Sequence, residues 1–403
     1  MDVQLLSGLL LKLESYPALK AKIKSLYNET AENSARVEEV YNSLISLVDS
    51  IPLPVAKVRP VKVYMAACMD IIHSGHFNCM RQAKKLGDIL VIGVISDEEI
   101  RRCKGPPVMN QEERRIMAEA CKWADEVIDG VEYYVTPDIL ERVGCDYVVH
   151  GDDLAIRKDT GTDAYADVRA AGKLKIIKRT EGISTTDMVG KMLLMTSNEL
   201  VTSPPTQISA STKTQFLSTT RRINQFSTPK TPAPTDRIVY IDGAFDLLHR
   251  GHVETIKRAR EFGDYLIVGV HDDRTVNSIK GLNYPIMNLH ERTLNLLALK
   301  YVDDVIMGAP WEITEDMIKT LNIQVVVQGT NHKDSMVSTP HEDPYTVPKR
   351  LGIYQEIDSV CNINAEDIVD RIVAHRLQYT KRNERMTANQ QQYYENKQFV
   401  PEI

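Results

Sequence analysis

Two pairs of histidines are the residues of this chain best suited to chemistry. His73 and His76 lie in a His-Ser-Gly-His tetrapeptide, and His249 and His252 lie in a His-Arg-Gly-His tetrapeptide, each just after an apolar run. Histidines three apart share one face of a helix, so both imidazoles of a pair can point at one anion. Glycine lets a phosphate approach the backbone closely, and the free N–H groups of a helix start add positive potential. The motif therefore predicts a nucleotide-phosphate site that occurs twice.

A second segment with phosphate-binding chemistry covers residues 179–187, with the sequence Arg-Thr-Glu-Gly-Ile-Ser-Thr-Thr-Asp. Hydroxyl residues and Asp187 immediately before a helical run are typical of a helix N-cap. The functional interpretation adds the Arg179 guanidinium and two or three hydroxyl groups, whose hydrogen bonds to phosphate oxygens are charge-assisted. The two interpretations are compatible.

An α/β fold is predicted to position these residues, because apolar runs of strand length alternate with helical stretches. The runs of the first half cover residues 61–67, 89–95, 127–128, 147–150 and 174–177. This alternation predicts a parallel sheet with helices on both faces. Ligands bind such a sheet beyond the carboxyl ends of its strands, where the first strand meets its helix. Both histidine pairs fall at that junction, as do Ala67, Cys68 and Asp70.

The second half of the chain repeats the first. His73 and Lys104 each recur 176 positions later, and both lysines precede a glycine. Later matches, such as Asp125 with Asp303, are 178 positions apart, because two residues are inserted near Tyr284. Matching order over such a long stretch indicates a duplicated domain.

These features divide the chain into five segments. They are a helical extension (1–58), a first α/β domain (59–196), a flexible Ser/Thr/Pro-rich linker (197–235), a second α/β domain (236–380) and a polar tail (381–403). The apolar residues of the extension recur at helical spacing, which predicts that it docks on the rest of the protein or on a second subunit. Lysines beside leucines leave a weak peripheral contact with membranes as the alternative.

Composition narrows the class of protein. A formal net charge of -6 argues against a general nucleic-acid binder, which needs a basic surface. Six cysteines without Cys-x-x-Cys spacing argue against structural zinc and favour a reduced, cytoplasmic setting. The sequence has no run of about 20 apolar residues that could span a bilayer, and its leucine-rich start lacks the flanks of a signal peptide. We therefore expect a soluble cytoplasmic protein.

Together these motifs resemble the cytidylyltransferase family. The His-x-Gly-His motif after a Gly-x-Phe-Asp-like strand end and the 179–185 segment carry the resemblance over roughly residues 61–380. Residues 104–108, 112–114, 123–127 and 150–153 support it further. The tandem arrangement resembles the branch of the family that acts on phosphoethanolamine. The resemblance implies two Rossmann-like domains that transfer CMP from CTP to phosphoethanolamine, with pyrophosphate as the second product.

The resemblance also implies roles for residues of the first half. His73 and His76 would hold the triphosphate, Lys104 would bridge the two substrates, and Arg179 would close over the β and γ phosphates. Further expected nucleotide contacts are Ala67, Cys68, Asp70, Gly75, Gly151, Asp153, Thr180, Ser184 and Thr185. Expected acceptor contacts are Trp123, Asp125 and His150, with packing and turn roles as the alternative for the first two. Arg114 would bind ligand or pair with Glu113 or Glu119. Magnesium is expected to enter with CTP, without dedicated protein ligands.

The two halves depart from the family pattern in different places. The first half has Ala67 where the family has a strand-end glycine, and Met69 where it has an aromatic residue. The second half keeps Gly243, Phe245, Asp246, His249, His252 and Lys280. Its positions equivalent to Arg179, Ser184, Thr185 and His150 hold Ser359, Asn364, Ala365 and Gln328. We therefore predict that the first half is active and that the second is a degenerate site with little turnover.

Two alternatives remain open at this stage. The acceptor could be phosphocholine or glycerol 3-phosphate, since the sequence does not say whether Tyr133, Tyr134 or Tyr165 forms the aromatic cage that a trimethylammonium group prefers. A different class of function is a nucleotide-sensing scaffold without catalysis. The sequence also leaves open whether the chain forms a homodimer.

Overall fold

Two parallel five-stranded sheets form the framework of this computed structural model, which describes residues 59–153, 155–157, 160–195, 219–228, 230–281, 283–330 and 343–403. The strands of the first sheet are β1 (Lys62–Ala67), β2 (Ile89–Ile95), β3 (Glu126–Val131), β4 (Tyr147–Gly151) and β5 (Leu174–Ile177). Those of the second are β6 (Ile238–Gly243), β7 (Tyr265–Val270), β8 (Asp304–Met307), β9 (Ile323–Gly329) and β10 (Tyr354–Ile357). The predicted extension over 1–58 lies outside the described residues.

Helices connect the strands of each half. In the first half they are α1 (Ser74–Lys84), α2 (Asp97–Cys103), α3 (Gln111–Ala120), α4 (Pro137–Arg142), α5 (Ala166–Ala170) and α6 (Thr185–Met195), and α7 (Thr219–Phe226) follows. In the second half they are α8 (Arg250–Arg260), α9 (Asp273–Lys280), α10 (Leu289–Leu297), α11 (Glu315–Thr320), α12 (Thr346–Arg350), α13 (Ala365–Ala374) and α14 (Arg376–Asn396). Side chains cap several of them; Asn110 and Asn288, for example, accept the N–H of the third residue of α3 and α10. None of the described helices has both the length and the apolar run that crossing a bilayer requires.

The strand order places a crevice at the first strand of each sheet. The first sheet has the order β3-β2-β1-β4-β5, and the second repeats it as β8-β7-β6-β9-β10. The chain continues from β1 to β2 and β3 on one side of the sheet, and to β4 and β5 on the other side. This reversal of strand order opens a crevice beyond the carboxyl end of β1. The predicted fold class, two tandem Rossmann-like domains with parallel sheets, is confirmed.

The two halves pack against each other through equivalent residues. The Lys122 N–H donates to the Ala298 carbonyl at 3.0 Å, and the Lys300 N–H donates to the Ala120 carbonyl at 2.9 Å. Lys300 is the counterpart of Lys122, and Ala298 is that of Ala120, each 178 positions further along the chain. The contact is therefore reciprocal about an approximate two-fold axis.

Ion pairs repeat this reciprocity on the helices. Arg371 of α13 pairs with Glu113 of α3 at 2.7 Å, and Lys191 of α6 approaches Glu291 of α10 at 3.9 Å. Lys191 and Arg371 are again equivalent positions of the two halves. The arginine makes the shorter contact, so the two sides of the interface are alike but not identical.

Part of the segment predicted to be a flexible linker is folded. Helix α7 buries Arg222 and Phe226, and the Phe226 ring packs edge to face on Trp123 with the ring centroids 5.2 Å apart. The Ser/Thr/Pro-rich composition of the surrounding segment predicted a linker and gave no indication of this short amphipathic helix. The remainder of the predicted linker up to residue 218 lies outside the described residues.

Candidate active site

The first histidine pair lies at the start of α1, directly beyond β1. His73 is the N-cap residue, and its Nδ1 accepts the Gly75 N–H at 3.1 Å. The His73 N–H in turn donates to Nδ1 of His76 at 3.4 Å. The two ring centroids are 4.1 Å apart, and His73 is only 5% exposed. Each ring is thus fixed through Nδ1, and its Nε2 remains for a ligand.

Burial keeps both imidazoles neutral. Desolvation, together with the charge of Lys104, lowers the pKa of His76 to about 4. Burial and the neighbouring His76 lower the pKa of His73 well below its usual range. Because Nδ1 of each neutral ring accepts a hydrogen bond, the ring proton is on Nε2. The pair therefore has two Nε2–H donors, and their contact with a phosphate stays a prediction.

Gly75 is required by this geometry, which gives a testable prediction. A Cβ at this position would lie 2.8 Å from Nδ1 of His73 and 3.3 Å from Cγ2 of Ile183. We expect Gly75→Ala to push the His73 ring out of its rotamer and to lower kcat/KM roughly tenfold. Steady-state assays of this variant should be compared with Gly190→Ala in α6, where a Cβ makes only a 3.4 Å contact. Equal activities of the two variants would contradict the prediction.

Lys104 supplies a permanent positive charge at the same end of the sheet. It is the C-cap residue of α2, and its Nζ lies 5.7 Å from the Tyr133 ring centroid. The side chains of Cys68 and Tyr133 beside it raise the pKa of Lys104, so the ammonium group stays charged. Its charge contributes to the lowered pKa of His76, so the lysine lies near the histidine pair, and its contact with substrate stays a prediction.

The 179–185 segment approaches the histidine pair from β5. Thr180 accepts a hydrogen bond from Asn78 of α1 at 2.9 Å, which ties the segment to the helix that carries the histidines. The charge of Arg179 lowers the pKa of both His73 and His76. The segment therefore lies beside the helix that carries the histidines, and a ligand shared by the imidazoles and the guanidinium stays a prediction.

The hydroxyl groups of this segment have structural partners as well. Ser184 caps α6, because its Oγ accepts the Asp187 N–H at 3.1 Å, and it donates to the Asp187 carboxylate at 2.7 Å. The Thr185 hydroxyl donates to the Asp70 carbonyl at 3.2 Å. These contacts fix the start of α6 beside β1. The N-cap interpretation therefore holds for Ser184, and its role as a phosphate ligand stays a prediction.

His150 and Asp153 lie at the carboxyl end of β4, on the ligand side. Nδ1 of His150 is 2.9 Å from the Gly151 carbonyl oxygen, and its ring centroid is 4.4 Å from that of Tyr165. Burial alone would raise the pKa of Asp153, but the nearby His150 and Arg179 lower it. The carboxylate is therefore charged and helps to orient the guanidinium, 3.7 Å away.

Trp123 and Asp125 are not placed to contact the acceptor. Asp125 accepts the Leu90 N–H at 2.7 Å and the Lys84 ammonium at 2.6 Å, at the amino ends of β2 and β3. The site lies at the opposite edge of the sheet, and Trp123 packs on Phe226. The prediction of substrate contact was wrong for both residues, and the packing and turn roles are correct.

Asp70 has a different role from the predicted nucleotide contact. The carboxylate is 2% exposed, and one oxygen accepts the N–H groups of Val108 and Met109 at 3.0 and 2.9 Å. The other oxygen pairs with Arg382 at 3.0 Å. Protein donors thus engage both oxygens, and Asp70 joins the end of β1 to the loop that follows Lys104.

Sequence reasoning missed the part that Arg114 plays. This arginine is fully buried and donates to the carbonyls of Cys68 and Ile95 at 2.8 and 2.7 Å. It pairs with Asp97 at 2.7 Å rather than with a glutamate of its own helix or a ligand. Its counterpart Arg292 makes the same kind of network in the second half. Repetition of the arginine at both positions was the available signal for a structural role.

The second histidine pair lines a pocket at the equivalent place. Burial lowers the pKa of His249 to about 3, and the rings of His249 and His252 stack with centroids 3.8 Å apart. Lys280 pairs there with Glu366 at 3.0 Å. The pocket is also lined by Gly243, Phe245, Asp246, Ser359, Asn364 and Ala365. A carboxylate thus neutralises the lysine in a site where serine replaces the arginine, which supports the predicted loss of turnover.

The buried imidazoles predict a dependence of stability on pH. Burial lowers the pKa of His76 to about 4 and that of His249 to about 3, so the folded chain excludes protons that the unfolded chain accepts below about pH 6.5. The free energy of unfolding should therefore fall between pH 6.5 and 4, by about 1.4 kcal/mol per pH unit for each such histidine. Urea unfolding at several pH values measures this slope. A His249→Gln/His252→Gln variant should have a shallower slope, and an unchanged slope would contradict the assignment.

No group of three or more His, Cys, Asp or Glu side chains is placed to hold a metal ion within the part of the chain that the structure describes.

A parallel α/β sheet with neutral imidazoles, a lysine and an arginine at the switch point fits the class of nucleotidyltransferases, since ligands bind there and these groups stabilise negative charge. The profile of the cytidylyltransferase-like family matches residues 64–191 and 240–380. The ethanolamine-phosphate cytidylyltransferase of Dictyostelium discoideum is 48% identical over 84% of this chain and 97% of its own length. The Arabidopsis thaliana protein of that name is 47% identical over 85% of this chain and 87% of its own length. The chain belongs to the ethanolamine-phosphate cytidylyltransferase family.

The likeness to choline-phosphate cytidylyltransferases is partial. A probable choline-phosphate cytidylyltransferase of Schizosaccharomyces pombe is 39% identical over 34% of this chain and 38% of its own length. That coverage is about the size of one α/β domain, whereas the ethanolamine-phosphate relatives match across both halves.

Proposed function

We propose that this chain transfers CMP from CTP to phosphoethanolamine, giving CDP-ethanolamine and pyrophosphate for phosphatidylethanolamine synthesis, and that the first half does the chemistry. The observation that carries the proposal is the convergence of His73, His76, Lys104 and Arg179 at the carboxyl end of β1. Family membership along both halves supports the acceptor.

In the proposed reaction a phosphate oxygen of phosphoethanolamine attacks the α-phosphorus of CTP while pyrophosphate leaves in line. The chain supplies positioning and charge stabilisation, and a covalent intermediate is not needed. The Nε2–H groups of His73 and His76 donate to phosphate oxygens, and His76 lies closest to the reacting phosphorus. Lys104 bridges the two negatively charged substrates. Arg179, with Ser184 and Thr185, stabilises the leaving pyrophosphate.

Magnesium is part of the proposal as the ion that accompanies CTP. Mg²⁺ in nucleotide sites keeps several waters and binds largely through substrate phosphates. Bound there, it would neutralise charge on the leaving pyrophosphate. Activity should disappear when EDTA removes the ion and return when magnesium is added in excess.

The aromatic residues near the site favour a primary ammonium over a trimethylammonium group. Open aromatic faces are needed to surround a trimethylammonium group. Cationic side chains of the protein already lie on these faces: Arg157 is 4.5 Å from the Tyr134 ring centroid, and Lys104 is 5.7 Å from that of Tyr133. This arrangement supports phosphoethanolamine over phosphocholine.

The test is an assay of the purified chain with CTP, magnesium and each of three acceptors: phosphoethanolamine, phosphocholine and glycerol 3-phosphate. Pyrophosphate release and the CDP-linked product are measured together. We expect the highest kcat/KM with phosphoethanolamine. A higher value with another acceptor would reassign the substrate, and CTP binding without turnover would favour the nucleotide-sensing scaffold.

A further inference from the structure

Helix α14 lies against the first active site although it follows the second half in sequence. Side chains of Tyr379, Arg382 and Arg385 donate hydrogen bonds to the backbone carbonyls of residues 107, 106 and 104, at 3.0, 2.6 and 2.5 Å. All three acceptors belong to the loop over residues 104–108, which begins with Lys104. The loop is therefore held from outside its own domain.

Arg382 is the centre of this contact. Its guanidinium is 9% exposed and pairs with Asp70 at 3.0 Å, while it also donates to the loop carbonyl at residue 106. Asp70 in turn accepts the N–H groups of Val108 and Met109. Arginine and aspartate thus fasten the loop to the end of β1, next to the histidine pair.

In the second half, the equivalent aspartate is bound by backbone N–H groups and makes no ion pair with an arginine among the described residues. Asp246, the counterpart of Asp70, accepts the N–H groups of Leu247 and Met287 with one oxygen, at 3.0 and 2.9 Å. Its other oxygen accepts the N–H of Ile286 at 2.7 Å. In the second half the loop has two more residues, and one of its backbone N–H groups donates to this second carboxylate oxygen. In the first half the corresponding oxygen is bound by a side chain from α14.

Further contacts fix α14 along the rest of the site. Gln390 lies 3.3 Å from the Ser184 hydroxyl, and the Tyr393 hydroxyl donates to Asp152 at 3.1 Å. Beyond the helix, Glu402 pairs with Arg81 of α1 and with Arg222 of α7, at 2.8 and 2.6 Å. The helix is therefore attached at both of its ends.

We infer that Arg382 is a positioning residue of the first active site, acting through the Lys104 loop; the inference rests on the proposed function. Without the guanidinium, the buried Asp70 carboxylate would lose its only charged partner among the described residues, and the 106 carbonyl would lose its donor. A loop released in this way displaces the Lys104 ammonium from the substrate phosphates. Displacements of about 1 Å cost on the order of 100-fold in rate.

The experiment compares Arg382→Ala, Arg382→Lys and, as a matched loss of charge, Lys381→Ala on the exposed side of α14. We expect Arg382→Ala to lower kcat roughly 10- to 100-fold with little change in KM for CTP, Arg382→Lys to recover part of the loss, and Lys381→Ala to match the parent. On a Lys104→Met background, Arg382→Ala should have little further effect, because both changes remove the same contribution.

Amide hydrogen exchange gives a readout that does not depend on turnover. The amides of Val108 and Met109, which donate to Asp70, should exchange faster in Arg382→Ala, while amides in β2 should not. If the parent enzyme turns over substrate and a folded Arg382→Ala keeps the parental or a higher kcat, the inference fails and the proposed function stands. The inference would also be overturned if the fall in kcat of the Lys104→Met/Arg382→Ala double variant equalled the product of the falls in the two single variants. Should the parent be inactive, the proposed function fails, and the exchange rates alone decide whether Arg382 holds the loop.

A variant that keeps the ion pair covers the case in which Arg382→Ala does not fold. Tyr379→Phe removes only the hydroxyl that donates to the residue 107 carbonyl. We expect a smaller fall in kcat in this variant and in Arg382→Lys. Parental kcat in both would overturn the inference.

Discussion

Replacing His76 by alanine is expected to lower kcat/KM by roughly 100- to 1000-fold, the usual effect of removing one preorganised donor to a developing charge. The reason is the fixed geometry of the pair: Nδ1 of His76 accepts the His73 N–H, so that Nε2–H is left to donate to the proposed phosphate. The measurement is steady-state turnover of CTP with phosphoethanolamine.

The duplication supplies the matched control for this prediction. His252 is the equivalent residue of the second half, where the lysine is paired with Glu366 and serine replaces the arginine. We expect His252→Ala to keep most of the parental activity. Equal losses in the two variants would mean that the second pocket takes part in the reaction.

Replacing Arg179 by alanine should weaken binding of the triphosphate selectively. A charge-assisted hydrogen bond contributes about 1.5–3 kcal/mol, which corresponds to a change in CTP affinity of roughly 10- to 100-fold. CMP lacks the β and γ phosphates that Arg179 is proposed to hold, so its affinity should change little. Isothermal titration with both nucleotides measures the difference.

Lys178→Ala is a suitable control for the arginine variant, because it removes the neighbouring positive charge, which lies 5.9 Å from the Phe399 ring centroid. This variant should bind both nucleotides like the parent. Equal weakening of CTP and CMP binding by Arg179→Ala would place the guanidinium elsewhere than over the terminal phosphates.

The strands could be predicted closely because both faces of a parallel sheet are buried, which gives continuous apolar runs. The predicted run over 89–95 coincides with β2, in which every residue after Ile89 is buried. The run over 174–177 coincides with β5, an edge strand in which Lys175 and Ile176 are exposed. The geometry of the histidine pair could also be predicted, because it depends only on the spacing of His73 and His76 at the start of one helix.

The features that could not be predicted from the sequence are those set by the position of a residue in the fold rather than by its type. Trp123 and Asp125 belong to a family motif, but they precede β3 and therefore lie at the wrong end of the sheet. Helix α14 is polar, and it binds the Lys104 loop through hydrogen bonds to carbonyls, which no apolar periodicity signals. Glu366 has a signal in the sequence, because the alignment by 180 positions sets this carboxylate opposite Thr186.

The reciprocal contacts between Lys122, Lys300 and the two alanine carbonyls have an evolutionary consequence. Such isologous pairing is what a symmetric homodimer has, in which each substitution appears on both subunits at once. Once two copies are fused into one polypeptide, a change in either copy is made only once, and the covalent link keeps the partner in place. An ancestral dimer with two equal catalytic centres can then become a chain in which one copy retains catalysis and the other, freed from that constraint, specialises in support.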